Sequence, residues 1–151
     1  MKRLIIVRHG NCNEDGYLDD NGRRQMDYIS RRLKSKFTDN PRVVILTSTA
    51  DRAKESAEIL GKIFEVEIEP HEVLWSDRER RTDLSNLLYL VRSKKDIADV
   101  IILVTHLEYT EEFPYHFGKN ELGVGHFPFR ELGNGQFWDI DCEQKTILYG
   151  N

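Results

Sequence analysis

The chain has 151 residues, 39% of them hydrophobic and 32% charged, with a formal net charge of −4. That balance is ordinary for a soluble globular protein, lacks the basic surface that bulk nucleic-acid binding needs, and contains no apolar run of membrane-spanning length. The expectation is one domain over residues 1–151, without a nucleic-acid or membrane partner. The four apolar residues after Lys2-Arg3 are too few for a secretory leader, so the expected compartment is the cytoplasm.

Leu4-Ile5-Ile6-Val7 is a continuous apolar run stopped by Arg8-His9-Gly10. It predicts a strand buried on both faces, hence the middle of a parallel sheet. Ligands of open α/β sheets bind at the carboxyl ends of such strands. A guanidinium and an imidazole there suit an anion such as phosphate, and Gly10 allows a sharp turn.

Asn11 to Asn21 reads as a loop, with Asp20 or Asn21 as helix cap. Met26, Ile29, Leu33 and Phe37 recur at helical spacing and predict an amphipathic helix. Val43-Val44-Ile45-Leu46 is a second buried strand ending at Thr47-Ser48-Thr49. Ser48 or Thr49 is the expected cap of a helix whose apolar face is Ala53, Ala57, Leu60 and Phe64. Gly61 interrupts that helix near its end.

Val66 to Ile68 suits a short strand near the sheet edge, closed by Pro70. His71 through Arg81 is a charged loop, and its run Arg78-Glu79-Arg80-Arg81 reads as solvated. Thr82 or Asp83 caps a helix with Leu84, Leu87, Leu88 and Val91 inward. Val100 to Val104 is a third buried strand, ending in Thr105-His106, and Pro114 limits the helix that follows. Beyond Gly118 the sequence is loop-rich until two strands, around Phe137–Ile140 and Thr146–Tyr149, close as a hairpin.

Three buried strands therefore end in Arg8-His9, in Ser48-Thr49 with Arg52 just beyond, and in His106. Strands alternating with helices share one carboxyl edge, so two histidines and two arginines converge on one cleft. Phosphoryl transfer asks for such a set: forked cations to hold the oxygens, and a neutral imidazole to attack phosphorus. Cys12 lies close enough to this turn to be weighed as a nucleophile. Cysteine-based phosphatases carry an arginine six residues after the cysteine, where Cys12 and Cys142 are followed by Leu18 and Leu148, so the thiol reading fails. His71, His116 and His126 have no ligand spacing, and no metal is expected.

These pieces resemble the histidine phosphatase superfamily, or phosphoglycerate mutase-like fold. The matching stretches are Arg8-His9-Gly10, Gly22 with Gln25, Thr47-Ser48-Thr49-Ala50-Asp51-Arg52-Ala53 with Ser56-Ala57, and Val104-Thr105-His106. The resemblance implies a three-layer α/β/α fold with a mainly parallel sheet and a metal-independent phosphatase without a cofactor. It makes His9 the phosphorylated nucleophile, Arg8 and Arg52 phosphate ligands, and His106 a ligand that assists transfer. Asn13 approximates a polar phosphate contact of the family, at a different spacing. Leu107 replaces the glycine or alanine that commonly follows the second histidine. The family's proton donor has no clear match, and Asp77 and Glu108 are the candidates.

The short chain leaves little room for an inserted cap. It resembles the compact bacterial phosphohistidine phosphatases, with a phosphoprotein or a small phosphorylated metabolite as substrate. The alternatives are a phosphate-binding or regulatory module without turnover and a phosphoglycerate mutase-type phosphotransferase. A nucleotide-binding Rossmann domain lacks its glycine fingerprint here.

Overall fold

A computed structural model describes residues 1–127 and 129–151. In chain order the elements are β1 (Arg3–Arg8), α1 (Asp20–Lys36), β2 (Val43–Thr47), α2 (Asp51–Phe64), β3 (Ile68–Pro70), α3 (Leu84–Lys94), β4 (Val100–Thr105), α4 (Leu107–Phe117), β5 (Phe137–Asp141) and β6 (Thr146–Gly150). A 3₁₀ turn (Glu72–Leu74) precedes α3 and a π-helical turn (Gly118–Leu122) follows α4. The sheet order is β3-β2-β4-β1-β5-β6. β1 pairs in parallel with β4 and antiparallel with β5, and the β5–β6 hairpin closes one side.

Alternation along the strands divides the core in two. Leu4, Ile6, Leu46, Ile101 and Leu103 face α3 and α4, and pack with Leu87, Val91 and Phe113. Ile5, Val7, Ile45, Ile102 and Val104 face α1 and α2, and pack with Met26, Leu33, Ala57 and Leu60. Two buried faces explain why the strands are apolar throughout rather than alternating, and the fold is the expected three-layer, mainly parallel α/β/α sandwich.

Several boundaries move, each for a local reason. Asp19, not Asp20 or Asn21, caps α1, accepting from Gly22 N–H at 2.7 Å. Ala50 occupies the cap position of α2, which has no side-chain cap, because Ser48 Oγ receives the Ala50 N–H one step earlier. Asp83 caps α3. The edge strand runs over Ile68–Pro70, so Pro70 lies within it, where an edge position tolerates a missing donor. Gly61 permits a close approach, since a Cβ there would sit 2.8 Å from Val66 O.

Pro114 lies inside α4 rather than ending it. A proline cannot donate to the carbonyl four residues back, here Thr110. The Trp138 indole N–H donates to that carbonyl instead, at 3.0 Å. The lost helical bond is thus replaced from β5.

The turn after β1 presses on α1. A Cβ on Gly10 would lie 2.7 Å from Gly22 O, and one on Gly22 would lie 2.0 Å from Asn11 O. Alanine gains roughly 1 kcal/mol of helix propensity over glycine. A 2.0 Å contact with backbone cannot be relieved by a rotamer change, so the clash outweighs that gain. Gly22→Ala is expected to lose about 1–3 kcal/mol of stability in urea unfolding. An unchanged or raised midpoint would show that this backbone contact does not constrain the fold.

Candidate active site

The carboxyl ends of β1, β2 and β4 lie side by side, and each leads into one polar segment. His9 N–H donates to Thr105 O at 3.0 Å and Ser48 N–H to Val104 O at 3.0 Å, so the main chain itself links the three strand ends. His9 is 7% exposed and His106 2%, their rings 5.2 Å apart at 63°. Arg52, in the first turn of α2, reaches both. Its Nε donates to His9 Nε2 at 3.2 Å and its Nη2 lies 3.3 Å from His106 Nδ1.

These partners fix the proton positions. A carbonyl only accepts and a guanidinium only donates. His9 Nδ1, 2.8 Å from Gly10 O, therefore carries the proton, and His9 Nε2 presents its lone pair to Arg52. His106 Nδ1 likewise faces Arg52 as an acceptor. Its proton then lies on Nε2, 2.8 Å from the buried Ser48 Oγ.

Both imidazoles are held neutral. Burial lowers the His9 pKa to about 4, assisted by Arg52 and Arg8, against the Gly10 carbonyl, which raises it. Burial lowers His106 to about 2, reinforced by His9 and Arg52, with Asp77 as the opposing charge. Neutral imidazoles beside guanidiniums leave positive charge and unprotonated nitrogen lone pairs together at this sheet edge.

Arg8 lies within electrostatic reach of both rings. It is fastened by the loop before β5: Arg8 Nη1 donates to Leu132 O at 2.6 Å, and Gly135 N–H spans Arg8 O and His9 O. Arg8 Nε is buried with no partner among the described residues. That loop lies more than a hundred residues away in sequence, and nothing near Arg8 signals it. Ser56 is a second such part, present in the matching stretch without an assigned role. Its hydroxyl donates to Arg52 O at 2.7 Å and accepts from Gly10 N–H at 3.0 Å, tying the turn after β1 to α2.

The remaining candidates are placed less centrally. Asn13 is exposed, and its Oδ1 accepts from Asp15 and Tyr17 N–H groups, so that oxygen holds the loop in shape. Asp77 lies within electrostatic reach of His106, and its Oδ1 accepts from the Glu79 and Arg80 N–H groups. Those bonds hold its carboxyl below the usual range. Glu108, in the first turn of α4, accepts from Ser76 Oγ at 2.8 Å. Glu111, which the sequence did not single out, is pushed up by burial and then by Glu131, Glu108 and Glu112.

Arg78, Arg80 and Arg81 are exposed, as a solvated loop requires, with Arg80 over the Trp75 ring. His71 pairs with Glu69, His116 lies beside Phe113, and Cys12 and Cys142 are free thiols. Among the described residues no group of three or more His, Cys, Asp or Glu side chains is arranged to hold a metal, and no helix is long and apolar enough to cross a membrane.

The sequence model described as the histidine phosphatase superfamily (branch 1) matches residues 4–76. No curated protein matches the sequence at a comparable level of significance. Among solved structures, the protein histidine phosphatase SixA complexed with tungstate superposes with a TM-score of 0.75 at 16% identity, covering 99% of this chain and 94% of that one. A mycobacterial glucosyl-3-phosphoglycerate phosphatase gives 0.71 at 15% identity, covering 99% and 97%. A phosphoglycerate mutase from Plasmodium falciparum gives 0.63 at 21% identity, covering 99% and 89%. Residues 4–76 thus carry the sequence signature of that superfamily, and the whole chain shares the fold of these solved structures.

Burying two neutral imidazoles links stability to pH. Above about pH 6.5 both rings are neutral whether the chain is folded or not. Below it the unfolded chain binds protons that the folded one refuses until about 4 at His9 and about 2 at His106. The contribution of the two rings is therefore full above 6.5 and is lost as pH drops, by up to about 1.4 kcal/mol per pH unit for each ring. Urea unfolding between pH 7 and 4.5 should show a shallower loss in His106→Gln than in the wild type. Equal slopes would contradict burial of a neutral His106.

Proposed function

We propose that this chain is a phosphatase that carries the phosphoryl group on His9 and acts best on substrates whose leaving group needs no strong acid, phosphohistidine in a protein above all. The observation that carries the reading is the bridge Arg52 makes between His9 Nε2 and His106 Nδ1. A phosphoryl group seated at that guanidinium meets a nucleophilic nitrogen lone pair, and Arg8 stands within electrostatic reach of it. The fold relatives named as phosphatases, SixA among them, support the same reaction class.

In the first step the His9 Nε2 lone pair attacks phosphorus and the bond to the leaving group breaks. Arg52 and Arg8 hold the nonbridging oxygens, whose negative charge is spread over them in transit. The Gly10 carbonyl keeps the proton on Nδ1, so the positive charge that develops on His9 meets a fixed dipole. In the second step water attacks the phosphorylated His9, releasing phosphate and returning the imidazole. The guanidiniums supply the charge neutralisation that a metal gives elsewhere, and the reaction is proposed to need no metal or cofactor.

Substrate class follows from the acid. A basic alkoxide leaving group needs a proton in the transition state. Asp77 is held ionised by two backbone N–H bonds, and Glu108 is engaged with Ser76. A departing imidazole leaves neutral when its other nitrogen is protonated, and its conjugate acid has a pKa of about 6.5. Phosphohistidine and activated aryl phosphates thus place the least demand on this site. A small phosphorylated metabolite with a comparably good leaving group fits the same chemistry.

Two experiments test the reading. Rapid quench with labelled substrate should trap an acid-labile, alkali-stable phosphoenzyme in the wild type and none in His9→Ala; label on Cys12 or a serine would refute the assignment. Activated aryl phosphate should be turned over much faster than alkyl phosphate, with Asp77→Asn and Glu108→Gln sparing the former. Fast alkyl-ester turnover abolished by either substitution would identify that residue as the acid and remove the preference for phosphohistidine.

A further inference from the structure

Ser48 is fully buried, and its Oγ joins two groups: it accepts from Ala50 N–H at 3.1 Å and lies 2.8 Å from His106 Nε2. Without a phosphoryl group, Arg52 donates toward His106 Nδ1, so neutral His106 carries its proton on Nε2 and gives it to Ser48. That arrangement is wrong for holding phosphate. Phosphoryl oxygens are acceptors, and a His106 Nδ1 bearing only a lone pair would repel them. The nitrogen facing the cleft must become a donor.

Two routes lead there: protonating the ring to imidazolium, or moving its single proton to Nδ1. The first places a positive charge on a ring that is 2% exposed and faces Arg52 from α2 and Arg8 from β1, with Asp77 the opposing charge. The second keeps the ring neutral but leaves Nε2 needing a donor. A hydroxyl can supply one, because it donates as readily as it accepts. A carbonyl in the same place could not.

We propose that Ser48 is a positioning residue that reverses its hydrogen bond with His106, allowing the neutral imidazole to present an N–H to the phosphoryl group. In the exchange Nδ1 takes a proton from water, Nε2 returns one to water, and the Ser48 O–H turns toward Nε2; net charge is unchanged. Ala50 N–H remains on Ser48 Oγ throughout, so the oxygen stays in place while its proton turns. This rests on the reading of the cleft as a phosphate site. It assigns to Ser48 a task distinct from capping α2.

The test uses inorganic phosphate, with ¹⁵N-labelled histidine read by NMR on the wild-type chain. Without phosphate, His106 should show a protonated Nε2 and a lone-pair Nδ1; with saturating phosphate the two should exchange character. Ser48→Ala should weaken phosphate binding roughly tenfold by leaving the buried Nε2 without a partner, whereas Ser48→Thr, which keeps the hydroxyl, should retain the exchange. Bound phosphate with Nε2 still protonated, or with both nitrogens protonated, would overturn the proposal while leaving the phosphate site intact. Phosphate that perturbs neither His9 nor His106 would overturn both. The wild-type measurement stands even if Ser48→Ala does not fold.

Discussion

Strand β1 is hydrogen-bonded on both sides, to β4 and β5, and covered on both faces by helices, so Leu4 to Val7 have no exposure at all. The chain leaving it can only rise over the carboxyl edge of the sheet. Arg8 and His9 are held there by ladder bonds beneath them and by Gly135 across them, and Gly10 by the Ser56 hydroxyl. The close backbone contacts of Gly10 and Gly22 fix where the turn goes. The position of His9 relative to His106 is thus a consequence of strand pairing rather than of side-chain adjustment, and preorganisation of this kind is what electrostatic catalysis requires.

Electrostatics then sets what the edge can do. Arginine cannot give up its proton at any ordinary pH, while a buried imidazole readily does. Placing Arg52 between His9 and His106, with Arg8 within electrostatic reach, therefore sets two neutral bases beside permanent cations. The hydrogen-bond partners behind each ring differ in kind. Gly10 O behind His9 is an acceptor alone and fixes one tautomer, whereas Ser48 Oγ behind His106 can act in either direction. Two chemically identical side chains thereby acquire different capacities.

The loop over residues 71–83 contrasts with this rigid edge. It is anchored at Leu74, whose carbonyl accepts from Thr105 Oγ1 at 2.6 Å, and at Val73, whose carbonyl accepts from the Tyr109 hydroxyl. Between these anchors and α3 it turns on Asp77, which spends its carboxylate oxygen on its own backbone. A carboxylate used in this way keeps a loop in shape at the cost of its basicity. That trade is the physical ground for proposing a substrate with an undemanding leaving group.

The sequence alone determined the layered fold and the ends of its central strands, because buried parallel strands must be apolar runs and Arg8-His9, Arg52 and His106 each follow one. It also determined that α4 follows His106, although not that Pro114 would lie inside it, since Trp138 is remote in sequence. Only the tertiary structure decided which nitrogen of each histidine carries the proton. Those positions depend on Arg52 meeting both rings, on Gly10 O lying behind His9 and on Ser48 lying behind His106, while Leu132 and Gly135 return from the far end of the chain to hold Arg8. Periodicity records which face of an element is buried. It does not record which remote donor or acceptor will stand opposite a given atom, and in this site that pairing sets the chemistry.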